Sequence, residues 1–233
     1  MSTNLIPSMK ETLFSPVILN LGSPLLDIAE ASLDSVMEDG MLKDIPVLGA
    51  IASLCRAGAS IRERNLIRQT AAFISSFNNG SITDDELYSY RDKLENDNKR
   101  TEKELGRVIL LLDRMIEEIQ SKMLGAFYRS YVKGGISWDK FCELSEANER
   151  MFVSDYVVLE AICREPIKQD IEITDKKMYK IQRLESLGLV MENRTRPHSG
   201  NVPLYPDTDY RFVSTPLGGT FFSLMRAGAP KES

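Results

Sequence analysis

Hydrophobic residues recur every three or four positions along most of the first 150 residues, which is the spacing of one face of an α-helix. The longest such stretch covers residues 101–132 and predicts a long helix with a break near Ser121. Two further stretches predict an amphipathic helix over residues 25–40 and a helical segment over residues 47–77. The pattern therefore predicts a helical bundle domain over residues 1–150.

Local polar signals predict where some of these helices begin. Pro46 fits the first turn of a helix, where its missing N–H group would have no partner in any case. Thr83 followed by Glu86 is a capping-box pattern, in which each residue bonds the other's backbone. Ser137 follows an isoleucine, as Thr83 does, and is expected to cap another helix.

The pattern changes after residue 150, where helices alternate with short strands. The predicted elements are a helix over residues 154–163, a helix from near Thr174 or Asp175 to Gly188, strands over residues 189–191 and 210–213, and a closing helix after Pro216. Only ten residues separate Cys163 from Thr174, and part of them alternates like a strand, which leaves little room for another helix. We expect an α+β domain with a two-strand hairpin over residues 151–233, in a chain that is mostly α.

The charge distribution limits what the chain can bind. Its formal net charge is −5 and its isoelectric point about 5.2, whereas proteins dedicated to nucleic acids usually carry a basic excess. The acidity is concentrated in residues 1–44, which hold two basic and seven acidic side chains, while residues 151–233 hold eleven of each. Any DNA binding must therefore depend on a local basic face.

The residue types that carry most enzyme chemistry are sparse. The single histidine, His198, lies in a polar segment, and the three cysteines, Cys55, Cys142 and Cys163, are far apart in helical patterns. Glycine motifs that cradle phosphates and carboxylate spacings that bind calcium do not occur. We predict no catalytic residues, no metal site, no cofactor and no enzymatic activity, with the cysteines as reduced thiols.

The sequence predicts a cytoplasmic protein. The first 30 residues lack the basic start and uninterrupted apolar core of a signal peptide. The longest uncharged apolar run, residues 45–55, is shorter than the ~20 residues that a membrane-spanning helix needs. Small residues are frequent over residues 45–60, however, which leaves open a segment that could insert into a bilayer.

The C-terminal part resembles a known family. Residues 184–190 (LESLGLV), residues 210–218 (YRFVSTPLG) and the pair Phe221-Phe222 are similar to the end of winged helix-turn-helix proteins, over about a quarter of the chain. The resemblance implies that the Leu-Gly-Leu turn joins a recognition helix to the wing and that the closing helix packs on a partner. The helical part more loosely resembles bacterial abortive-infection proteins of the alpha type, which implies a role in phage defence.

Three hypotheses about function follow. The leading one is a non-enzymatic bacterial interaction protein, whose winged helix docks a protein partner or a second copy of the chain through Phe221, Phe222 and Met225. The expected partner is therefore another protein or, in a homo-oligomer, a second copy of the chain. A membrane-active effector that uses residues 45–60 is the third and least favoured hypothesis.

The second hypothesis is a DNA-binding transcriptional regulator. Lys176, Lys180 and Arg183 lie at spacings of four and three, on the side of their helix opposite the apolar face. These three would contact base edges or phosphates, and Arg194 and Arg196 in the wing would contact the DNA backbone.

Overall fold

A computed structural model describes residues 5–15, 44–54, 60–79, 82–168, 175–195 and 209–228 of the 233-residue chain. Within these ranges the protein is mostly helical, with ten helices and one small antiparallel sheet, which confirms the predicted mostly α class. The chain divides into two compact units between Ser145 and Glu146. The amphipathic helix predicted for residues 25–40 lies outside the described residues.

The N-terminal unit is built from helices alone in its described part. They are α1 (Leu5–Leu13), α2 (Pro46–Leu54), α3 (Ile61–Phe77), α4 (Asp84–Glu95), α5 (Asn98–Arg114), α6 (Glu118–Val132) and the first part of α7 (Trp138–Glu149). Pro46 begins α2, as predicted. Thr83 and Glu86 form the predicted capping box at α4, and the Ser137 hydroxyl accepts a hydrogen bond from the Lys140 amide at α7.

Helices α3 and α6 make the closest packing in this unit. A Cβ atom at Gly125 of α6 would lie 2.5 Å from the carbonyl oxygen of Phe73 in α3, so only glycine allows the two backbones this approach. Phe73, Phe77 and Tyr128 are fully buried beside this contact, with ring centroids 5.9–6.2 Å apart. This pair of helices forms the centre of the core.

The long helix predicted over residues 101–132 is two helices, α5 and α6, and the break lies at residues 115–117 and not near Ser121. Polar side chains of α3 hold this break: Asn65 donates to the carbonyl oxygen of Met115 at 2.8 Å, and Gln69 donates to that of Ile116 at 2.7 Å. The backbone amides of Ile116 and Glu117 donate to the side-chain oxygen of Gln120. These bonds replace the intrahelical bonds that a continuous helix would have made.

The C-terminal unit alternates helices and strands. After α7 its elements are α8 (Val153–Arg164), β1 (Ile167–Lys168), α9 (Asp175–Ser186), β2 (Val190–Thr195), β3 (Asp209–Ser214) and α10 (Pro216–Gly228). The strands form one antiparallel sheet in the order β1-β3-β2, with Val190 opposite Ser214 and Ile167 opposite Phe212. The predicted hairpin is therefore β2 and β3, and β1 adds a short third strand.

A compact turn joins α9, β2 and the closing helix. Gly188 has a φ of +71°, a left-handed conformation that favours glycine, and the amide of Leu189 donates to the carbonyl oxygen of Leu184 at 3.0 Å. Thr215 ties α10 to this turn, because its hydroxyl donates to Gly188 and its amide to Leu189. The same hydroxyl accepts from the Gly218 amide at 3.0 Å and so caps α10.

Candidate interaction surface

A buried carboxylate joins the two helices on which the surface is built. Asp155 lies in the first turn of α8 with no exposed area, and one of its oxygens accepts from the backbone amide of Phe152 at 2.8 Å. Arg183 of α9 donates to both carboxylate oxygens, from Nε and Nη2, at 2.7 Å each. The hydrogen bonds from Arg183 raise the pKa of its guanidinium, so Arg183 stays charged.

Two aromatic rings lie against the same guanidinium. The Arg183 carbon Cζ is 4.4 Å from the ring centroid of Phe152 and 5.8 Å from that of Tyr179. Both rings are nevertheless largely open to solvent, with 62% of Phe152 and 51% of Tyr179 exposed. The Asp155–Arg183 pair therefore places a guanidinium against two largely exposed aromatic side chains.

The outer face of α8 continues this apolar area. Val153, Val157 and Ala161 follow one another at intervals of four residues and are all exposed, Val157 by 68%. The charged residues on the same face are Glu160 and Arg164, which form an ion pair with a 2.6 Å N–O distance. We call Phe152, Val153, Val157, Ala161 and Tyr179 the α8–α9 surface.

The five residues predicted to contact DNA lie in different environments. Arg183 is engaged by Asp155, and Lys180 lies half-buried on α9. Lys176 lies in the first turn of α9 and Arg194 near the end of β2, but their side chains are outside the described part of the chain, as is all of Arg196. Of the two whose side chains are described, Arg183 is the one that donates hydrogen bonds to an acidic side chain, that of Asp155.

The three predicted partner contacts all lie on α10. Phe221 is fully buried, and its ring centroid is 6.1 Å from that of Tyr156 on α8, so it belongs to the core of the C-terminal unit. Phe222 and Met225 are half-buried, and the Phe222 ring lies 6.0 Å from the guanidinium of Arg226. By contrast, Val153, Val157 and Ala161 on α8 are all exposed.

Sequence reasoning missed Phe152, Val157 and Tyr179. Val153, Val157 and Ala161 could have been noticed as apolar residues at helical spacing. Nothing local in the sequence, however, shows which face of α8 is covered by the other elements.

A second buried polar cluster lies in the N-terminal unit. Glu104 of α5 is 3% exposed, and its carboxylate accepts hydrogen bonds from the hydroxyls of Tyr90 and Tyr131 at 2.6 Å and from Nε of Arg100 at 2.7 Å. The Tyr90 and Tyr128 hydroxyl oxygens are 2.5 Å apart. Burial raises the pKa of Tyr90 and of Tyr128, and raises that of Tyr131 to about 12. The carboxylate is paired on both oxygens, which suits a structural role.

The described residues offer little for other chemistry. Among them, no group of three or more His, Cys, Asp or Glu side chains is placed to hold a metal ion. Cys142 and Cys163 are thiols and not a disulfide, and burial raises the pKa of Cys163, which disfavours its reactive thiolate form. Of the helices in the described ranges, none is both long and apolar enough to cross a bilayer.

Comparisons of the chain with protein-family models, with curated proteins and with solved structures found no match.

Proposed function

We propose that this chain is a non-enzymatic interaction protein, and that its C-terminal unit is a winged helix that docks another protein molecule through the α8–α9 surface. A bacterial cytoplasmic setting and a role in phage defence remain predictions from the sequence. The docking role is the part of the proposal that the described contacts support.

The order of elements supports the winged-helix assignment. Helix α8, strand β1, helix α9, the β2–β3 hairpin and helix α10 follow one another, and the sheet order β1-β3-β2 places the hairpin beside the first strand. Helix α9 would be the recognition helix and the hairpin the wing. The positive φ of Gly188 makes the tight turn between them.

The observation that carries the docking role is the exposure of Phe152 and Tyr179 around Arg183. Aromatic residues and arginine are enriched at the energetic centres of protein interfaces, because they bury much apolar area and keep a polar end. Here both rings already contact the Arg183 guanidinium, and contacts that restrict a side chain before binding lower the conformational entropy lost on binding. DNA phosphates would gain little from Arg183, since its charge is already matched by Asp155.

The membrane hypothesis is disfavoured by the packing of α2. Val47, Leu48 and Ile51, which an inserting segment would present to lipid, are at most 3% exposed within the helical unit. Insertion would require these side chains to leave the core, which costs hydrophobic burial. Contact with lipid would only restore the burial that is lost in this way.

The docking role is tested by capturing partners from an extract of the cells in which the chain occurs naturally. The baits are the wild-type chain, Val157→Glu in the α8–α9 surface and Ile61→Glu on α3 as the control. Val157 and Ile61 are exposed by 68% and 69%, so both variants should fold equally well. A protein that is retained by wild type and by the control but lost by Val157→Glu is expected. Identical capture by all three baits would contradict the proposal.

A further inference from the structure

We infer that the molecule docked on the α8–α9 surface is a second copy of this chain, in a twofold dimer that brings α8 against α8. The inference rests on the proposed docking function and names its partner. It follows from the charge balance, the shape and the area of this surface.

On the outer face of α8, and at Arg183 beside it, the charged side chains are matched within one copy. Glu160 pairs with Arg164, and Arg183 pairs with the buried Asp155. In a twofold dimer each residue near the axis meets the same residue of the other copy. An unmatched charge there would therefore be repelled by the identical charge of the other copy. Because these charges are matched, two such faces meet without that repulsion. A partner selected by opposite charge would find no net charge to complement on the outer face of α8.

The side chains suit the close approach of two helices. Val153, Val157 and Ala161 lie at intervals of four residues and are small or β-branched, which forms a shallow ridge of the kind that packs beside another helix at ~8–10 Å. Phe152 and Tyr179 extend the apolar area at one side of this ridge. Val157, the most exposed of these apolar residues, lies at the middle of the ridge and is placed near the axis.

The exposed apolar area would form the centre of a dimer interface. Exposed fractions of 48–68% for Phe152, Val153, Val157 and Tyr179 leave on the order of 400 Å² of apolar side chain open on each copy. A standard interface buries about 800 Å² per partner, of which a polar rim forms a large part. We expect a reversible dimer that is populated at micromolar concentrations.

Sedimentation velocity of the full chain, from ~1 to ~100 µM, tests this inference. The wild-type mass should approach twice 26.3 kDa as the concentration rises. Val157→Glu and Val157→Lys should each weaken the dimer at least about tenfold, because like charges would meet at the axis. Ile61→Glu should leave it unchanged. An equal mixture of the Glu and Lys variants should form the dimer again, since opposite charges then meet.

Different results would overturn different parts of this inference. A wild-type chain that stays monomeric overturns the inference, and so does a dimer that both Val157 variants leave intact. A mixture that fails to reassociate overturns the contact of α8 with α8 across a twofold axis. If the chain is monomeric but Val157→Glu still loses a captured protein, the docking function holds and its partner is another protein. If neither dimer nor capture depends on Val157, both proposals fail.

Discussion

Arg183 and Asp155, 28 residues apart in the chain, form a bidentate ion pair that joins α9 to α8. Asp155 is fully buried, and its remaining bond is to the backbone at the start of its own helix. The pair therefore ties α9 to the start of α8 within the C-terminal unit. The rings of Phe152 and Tyr179 lie against the guanidinium of this pair.

Replacing Asp155 with Asn should destabilise the C-terminal unit. The change leaves Arg183 without its counter-ion, and we expect a loss of about 2–3 kcal/mol, less than for a fully buried pair because Arg183 is partly exposed to solvent. Arg164→Gln breaks the exposed pair with Glu160 and should cost less than about 0.5 kcal/mol. Urea unfolding followed by circular dichroism measures both, and equal losses would show that the buried pair has no special role.

Alanine substitutions at the two glycines at the start of α10, Gly218 and Gly219, should change the stability of the protein in opposite directions. A Cβ atom at Gly218 would lie 1.9 Å from the carbonyl oxygen of Leu189, so Gly218→Ala must move α10 away from the turn and should cost about 3 kcal/mol or more. At Gly219 the added methyl group meets no atom within 4 Å. Gly219→Ala should therefore stabilise the helix by about 0.5–1 kcal/mol. Calorimetry would compare the two variants, and equal transition temperatures would contradict the observed packing.

The carboxylate of Glu104 should be needed for the stability of the N-terminal unit. Glu104→Gln replaces an acceptor oxygen with an N–H₂ group that faces the donors Tyr90, Tyr131 or Arg100. We expect a loss of about 2–3 kcal/mol in urea unfolding. Glu102→Gln, on the same helix but exposed, is the control and should be neutral. A neutral Glu104→Gln would show that the cluster adds nothing to stability.

The tyrosine cluster should make the chain sensitive to alkaline pH. The pKa of Tyr131 is raised from 10.0 to about 12, and that of Tyr90 and Tyr128 is also raised, mainly by burial. Above about pH 10 the unfolded chain loses these protons while the folded chain keeps them, so stability is complete below that pH and falls as the pH rises through 10 to 12. Absorbance at 295 nm and circular dichroism should therefore change together. Ionisation of all eight tyrosines near pH 10 with the fold intact would contradict this.

DNA binding is expected to be absent or weak. Fluorescence anisotropy with mixed double-stranded DNA at ~50 mM and ~200 mM salt would detect a phosphate-driven interaction, which weakens steeply with salt. We expect no binding at either salt concentration. Binding with a steep salt slope that is reduced by Lys180→Glu, but not by Val157→Glu, would instead establish the DNA-binding hypothesis.

Much of the architecture was predictable because its signals are local. Capping residues such as Thr83 and Ser137, the proline at position 46 and the glycine at position 188 act within a few residues of the chain. Helical periodicity and the short apolar runs of the hairpin are local signals too. Together they predicted a mostly α chain, the β2–β3 hairpin and a closing helix near Pro216.

The break between α5 and α6 and the composition of the surface were decided by tertiary structure. Asn65 and Gln69 supply hydrogen bonds from another helix, so periodicity alone would continue the helix through residues 115–117. Arg183 looked free for DNA because its partner, Asp155, is distant in the chain. Sequence determined which residues could form one face of a helix. Only the packing of the helices and strands decided which face is covered, because exposure and ion pairing depend on the surrounding elements.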